Sequence, residues 1–190
     1  MRWGPAILAV LLLLSAPAAA DDAEPRLGEF IPATPPLSAP AISFADGEGH
    51  THSLADFAGK PVLINLWATW CHPCIEEMPS LVKLQQRLDG RLTLLAISED
   101  HGGAGKVTAF LADHHLDAIS PYLDPKSEVG QALDVEGLPT SVLVSRDGRI
   151  VGRVQGAADW NSAKIAAAIA PFLSGDDSGV VKTSARPGPP

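Results

Sequence analysis

Val62-Leu63-Ile64-Asn65-Leu66-Trp67-Ala68-Thr69-Trp70-Cys71-His72-Pro73-Cys74 is the stretch whose reading decides the fold. The apolar run Val62–Trp67 fits a central parallel strand buried on both faces. A Cys-x-x-Cys leaves it and opens a helix, because Ile75, Met78, Leu81, Val82, Leu84 and Leu88 fall on one helical stripe. Pro79 lies inside that helix and predicts a kink. Cys71 stands at the helix N-terminus, where unpaired N–H groups and the macrodipole stabilise a thiolate, the nucleophile of disulfide exchange. The chain has two cysteines, so any disulfide within it joins Cys71 to Cys74. Closing so short a loop removes little unfolded-chain entropy, so a structural staple explains the pair poorly. The pair reads as a reversible redox couple.

Upstream, 41–44 and 50–53 flank the turn Asp46-Gly47-Glu48-Gly49 and predict a hairpin. Ser53 is placed to cap a short helix through Phe57 that Gly59 stops. Downstream, 92–97 reads as a second buried strand, 106–114 as a helix, 121–123 as a short extended piece and 127–133 as a further helix. Thr140–Val144 is then a strand, Asp147-Gly148 a hairpin turn and 150–154 the returning strand. Ile165, Ile169 and Phe172 give a closing helix that Pro171 bends or shortens. Such an α/β order implies a mixed sheet covered by helices, with active groups at the carboxyl ends of strands.

The ends differ in kind. Residues 1–20 carry Arg2, an apolar run and Ala18-Ala19-Ala20, the pattern of a secretory signal too short for a comfortable membrane span. Retained, the same segment would be an N-terminal anchor. Residues 21–40 are Pro/Ala-rich without clear periodicity and read as a linker, and 174–190 as a disordered tail. One domain, 41–173, remains, without internal repeats. Export places it where disulfides form and persist, yet it has no cysteine to spare for a structural bridge. The formal net charge of −8 argues against nucleic acid or anionic lipid as a partner.

From 41 to 173 the chain resembles the thioredoxin superfamily, and within it the exported TlpA/ResA-like thiol–disulfide oxidoreductases. Carrying the resemblance are Leu66-Trp67-Ala68-Thr69-Trp70-Cys71-His72-Pro73-Cys74, Glu77-Met78-Pro79, Gly137-Leu138-Pro139-Thr140 and Gly156-Ala157-Ala158-Asp159-Trp160. It implies a thioredoxin fold, a central mixed β-sheet flanked by helices, with an N-terminal hairpin extension and a central insertion between Ser98 and Gly137. Cys71 resembles the attacking cysteine and Cys74 the resolving one. Pro139 resembles the family's cis-proline, which faces the dithiol and leaves the backbone of Leu138 to pair with a substrate strand. The implied cofactor is none beyond the Cys71–Cys74 disulfide. Implied partners are client proteins with cysteines or disulfides, such as apocytochrome c or the copper-site proteins and chaperones of respiratory oxidases. A membrane thiol carrier would donate electrons in the periplasm.

Two departures bear on the chemistry. Ordinary thioredoxins carry a buried acid where this chain has Asn65, and an amide cannot take a proton from Cys74. Glu77, three residues beyond Cys74 on the same helical face, is the candidate acceptor, as in ResA-like proteins; same-face geometry favours this over a solvated helix glutamate like Glu76. His72 follows Cys71, whereas in oxidising relatives the histidine directly precedes the second cysteine; here Pro73 does, as in reductants. One pKa unit corresponds to about 30 mV for a two-electron couple, whereas thioredoxin and DsbA differ by roughly 150 mV. One exposed imidazole does not span that gap, so the reading favours a reductant over a net oxidant or isomerase.

Trp70 reads as packing beside the dithiol and lining a docking surface, and Trp67 as core. His50, His52, His101, His114 and His115 read as surface or loop residues, and no metal site is expected. Cu(I) carriage by Cys71, Cys74 and a histidine is a weaker alternative. Thiol peroxidase chemistry wants Thr or Ser where Ala68 stands.

Overall fold

The computed structural model describes residues 27–173. The predicted signal segment and C-terminal tail lie outside them. Among the described residues one sheet has the order β1-β8-β7-β4-β5-β6-β2-β3. Its strands are β1 (Phe30–Ser38), β2 (Ser43–Asp46), β3 (Thr51–Ser53), β4 (Val62–Trp67), β5 (Thr93–Ser98), β6 (Tyr122–Leu123), β7 (Thr140–Val144) and β8 (Arg149–Gln155). Helices α1 (His72–Leu88), α2 (Gly103–Asp113), α3 (Glu128–Ala132) and α4 (Ala163–Leu173) complete it. β4 pairs in parallel with β5 and antiparallel with β7, so the sheet is mixed at its centre. This is the thioredoxin fold.

Strand alternation divides the core. Val62, Ile64 and Leu66 of β4 pack with Val142 and Val144 of β7 and with Val129 and Leu133 around α3. Leu63 packs with Leu81, Leu84, Trp160, Ile165 and Ile169, while Trp67 packs with Met78, Val107 and both cysteines. Asn65 therefore shares the face that looks at α1. α1 buries Cys74, Glu77, Met78, Leu81, Leu84 and Leu88, the expected stripe with a carboxylate inserted in it. Neither internal proline ends its helix: α1 runs through Pro79, and α4 continues past Pro171 to Leu173.

The hairpin forms as β2 and β3, and the short helix after Ser53 is a 3₁₀ turn, Leu54–Phe57, with Ser53 N–H donating to Asp56 Oδ2 at 2.7 Å. The insertion carries α2, β6 and α3; β6 extends β5 and receives β2 from the other side. One boundary is corrected. The second half of the presumed linker is strand β1, antiparallel to β8, with its register shifted between Pro32 and Leu37. Three prolines disguise it, but an edge strand tolerates residues that lack an N–H. Thr34–Pro35 is a cis bond within it.

Candidate active site

Cys71 is the N-cap of α1 and Pro73 lies in its first turn, where its missing N–H costs nothing. Cys71 N–H donates to Ala68 O at 3.1 Å and Cys71 O accepts from Ile75 N–H at 3.2 Å, so the Cys71 backbone is fixed on both sides. Cys71 and Cys74 form a disulfide with Cα atoms 5.3 Å apart. Cys71 is 6% exposed and Cys74 fully buried, so only the first sulfur has an approach from solvent.

Glu77 is no solvated helix glutamate; Glu76 is, on the outside. Glu77 is buried and accepts three hydrogen bonds: Asn65 Nδ2–H to Oε1 at 2.8 Å, and Ala158 N–H and Trp160 Nε1–H to Oε2, each at 3.0 Å. Burial pushes its carboxyl above the ordinary range, and these donors hold it back only in part. Asn65 thus orients the Glu77 carboxylate. Its Nδ2 also donates to Ser141 Oγ at 2.9 Å, and its Oδ1 has no partner.

The Leu138–Pro139 peptide is cis. Thr140 Oγ1 donates to Gly137 O at 2.7 Å and Gly156 N–H to Pro139 O at 2.9 Å, tying the loop to β7 and to the end of β8. Pro139, Leu138 and Pro73 line one groove with Leu27, Gln155 and Ala157. Leu138 also packs against the core cluster that contains both cysteines. The loop, the dithiol and Glu77 thus converge at the carboxyl end of β4.

Trp70 is not packed into the core: it is 67% exposed and lines a second pocket with Leu138 and Glu99. Trp67 is core, in ring contact with Phe110. His72 is exposed, 3.6 Å from Glu76. His50 Nδ1 and His52 Nε2 both meet Asp46 Oδ2, at 3.1 and 2.9 Å, so these two do cluster. His52 is half-buried against Phe44, Phe57 and Tyr122. The Asp46, Glu48 and His50 ligand atoms lie within 4.8 Å of one another on the outer hairpin, a spacing that could hold a metal ion.

Sequence reasoning missed Asp100. Its fully buried carboxylate accepts from Thr69 N–H (2.7 Å), Thr69 Oγ1 (2.7 Å), Ser98 Oγ (2.9 Å) and Lys106 Nζ (2.6 Å). It anchors the turn that presents Trp70 and Cys71. Burial pushes its carboxyl up, but Lys106, Thr69 and Ser98 together carry it below the usual value. No local signal pointed there, since Thr69 and Asp100 are remote in sequence.

Residues 36–169 match the family model described as Redoxin. The chain is 32% identical over 119 residues to the thiol-disulfide oxidoreductase ResA of Bacillus thuringiensis subsp. konkukian, a match covering 62% of this chain and 68% of that one. It is 36% identical over 114 residues to the thioredoxin-like protein YneN of Bacillus subtilis, covering 59% and 66%. Its fold matches a Chlorobium tepidum protein assigned as thiol:disulfide interchange protein DsbE, with a TM-score of 0.66, 25% identity, and 73% and 97% coverage.

Proposed function

The chain belongs to the Redoxin family and is a TlpA/ResA-like thiol–disulfide oxidoreductase of the thioredoxin superfamily; from that membership we propose that it is exported and reduces disulfides of specific periplasmic clients through Cys71 and Cys74. The observation that carries this reading is the inequality of the two sulfurs: Cys71 keeps 6% of its surface exposed and Cys74 none, and Pro73 between them lines the Leu138–Pro139 groove.

In the reduced protein the Cys71 thiolate attacks one sulfur of a client disulfide. The client S–S bond breaks, a client thiolate leaves, and a mixed disulfide with Cys71 forms. Cys74 then loses its proton and attacks Cys71 Sγ, which releases the second client thiolate and closes the Cys71–Cys74 disulfide. Two electrons pass from the protein to the client, whose thiolates take up the two protons the cysteines gave. Glu77 accepts the proton of Cys74. Its burial suits the task, because a carboxyl raised towards neutrality is a stronger base than a solvated one. Asn65, Ala158 and Trp160 hold it in place as positioning residues.

The substrate segment pairs as an extended strand with the backbone at Leu138, beside Pro139. Clients of the class suggested by the family are apocytochrome c, for cytochrome c biogenesis, and the copper-site proteins or chaperones of respiratory oxidases. A membrane thiol carrier restores the dithiol. No helix among the described residues is long and apolar enough to cross a membrane.

Cys74→Ser, expressed with its native N-terminus, tests the assignment. It stalls the mixed disulfide, so reducible adducts with a small set of exported cysteine proteins are expected. An absence of adducts, or adducts formed equally by a Cys71→Ser control, contradicts it.

A further inference from the structure

The cis-proline groove has a neighbour that the exchange chemistry does not use. Glu136, Gly137 and Leu138 line both the groove with Pro139 and Pro73 and a second cavity, of about 390 Å³, walled by Trp70, Glu99, Ser127, Gly130, Gln131 and Val135. Segment 136–138 is thus a ridge between two pockets. A client strand paired along it sends successive side chains to opposite sides. One side is largely apolar, the other offers the Trp70 indole and the Glu99 carboxylate, and Glu136 stands on the ridge between them.

We propose that the cavity between Trp70, Glu99, Glu136 and Leu138 seats a basic side chain, Lys or Arg, of the client segment next to the cysteine under attack. This rests on the reductase reading above and names the chemistry of its clients. Four observations support it. Trp70, the residue before the nucleophile, leaves 67% of its surface uncovered, a large aromatic face available for a cation.

Glu99 lines the cavity from the end of β5, where its backbone N–H donates to Trp67 O at 2.9 Å. Its side chain lies over α3, with Oε1 2.6 Å from where a Cβ on Gly130 would stand. The ion pairs Lys106–Asp100, Lys126–Glu128 and Lys164–Glu29 do not reach Glu99 or Glu136. Finally, burial and then the nearby Asp124 push the Glu99 carboxyl up, against the Ser127 hydroxyl and His101, which leaves it short of a counter-charge. An incoming ammonium or guanidinium supplies it.

The test uses the reduced full-length protein. Its probes are peptides with one cysteine in a mixed disulfide with a neutral thiol. They are identical except for Lys, norleucine or Glu at one of the two positions on either side of that cysteine. At low salt, kcat/KM for the Lys peptide is expected to exceed that for norleucine by about tenfold at one position, with Glu below both. In Glu99→Gln and in Glu136→Gln that ratio falls towards one, while Glu48→Gln, the same charge change on the distant hairpin, keeps it. Glu136 is exposed, so its variant remains informative should Glu99→Gln fold poorly. Equal reduction of all peptides overturns the inference, as does a Lys preference that Glu48→Gln weakens as much as the pocket variants do. Failure to reduce any peptide refutes instead the exchange reading on which it rests.

Discussion

Asn65 donates its side-chain N–H to Glu77 Oε1 over 2.8 Å, inside the layer between β4 and α1. The amide at 65 and the carboxylate at 77 are therefore one arrangement. The acid has moved from the strand to the helix, and the strand keeps an amide that orients it. Asn65 is fully buried and Glu77 nearly so, and Trp160 and Ala158 close the far side. A buried carboxylate with three donors keeps its charge available while burial raises its affinity for a proton.

Glu77→Gln separates the roles of charge and shape. Turning the Asn65 amide over lets its unpartnered Oδ1 accept from the new side-chain amide, so the fold is retained. Exchange at pH 7 is expected to slow by about 10²-fold, and the pH–rate profile to lose the limb that rises as Glu77 ionises. Stopped-flow reduction of a model disulfide across pH measures both. An unchanged rate and cysteine titration sink the proton-acceptor role.

The same variant carries a stability signature with a definite sign. Glu77 has a raised folded pKa, so its favourable contribution is complete below the ordinary carboxylate value and lost as pH rises through the folded value. The stability of the oxidised protein minus that of Glu77→Gln should fall between about pH 4 and pH 7. Urea denaturation at both pH values reads it, and a difference that is flat or rises contradicts the assignment.

Trp160→Phe removes one of the three donors and leaves an aromatic ring in a fully buried site. Because that N–H favours the carboxylate, its loss raises the Glu77 pKa further, and the rising limb of the rate profile moves to higher pH. A stability cost of about 1–3 kcal/mol accompanies it. A limb that stays in place would show that Trp160 only packs.

The link from Trp160 to Glu77 marks where sequence reading stops. β4, the hairpins and the stripe of α1 were legible because each has its own periodicity, and the Cys-x-x-Cys because its chemistry is local. Glu77 could be placed on the right face, but nothing in the pattern said that a carboxylate would sit inside an apolar stripe. Gly156–Trp160 stood out by resemblance alone; its physical purpose is the pair of N–H groups that reach Glu77. Asp100 was invisible for the same reason, since its partners Thr69 and Lys106 meet it only after folding. β1 was hidden differently, its prolines imitating a linker.

Asp100→Ala should destabilise the protein by about 3 kcal/mol, because it strands two hydroxyls and an N–H that share a buried acceptor. Lys106→Met should cost much less, its side chain being half exposed. Asp100 has a lowered folded pKa, so the stability it adds is present above the ordinary aspartate value and lost as pH falls through the folded one. Chemical denaturation of both variants at pH 7 and pH 3 checks the order and the sign. Equal costs for the two would contradict it.

Gly152→Ala probes the edge strand. A Cβ there would stand 2.7 Å from Ile31 O and against the Phe30 ring, and backbone cannot swing aside. β1 must separate from β8 or bend, at a cost of about 1–3 kcal/mol. Hydrogen exchange should show lost protection around Phe30 and Ile31 with Val62–Trp67 unchanged. Full protection at Phe30 and Ile31 would show that the pairing absorbs the methyl group.

The central claim, that Cys71 and Cys74 form a reducing couple, is tested most directly by their midpoint potential at pH 7 against glutathione. The account predicts a value at or below about −200 mV, towards the thioredoxin end of the range. A value near −120 mV, at the strong-oxidant end, would contradict it.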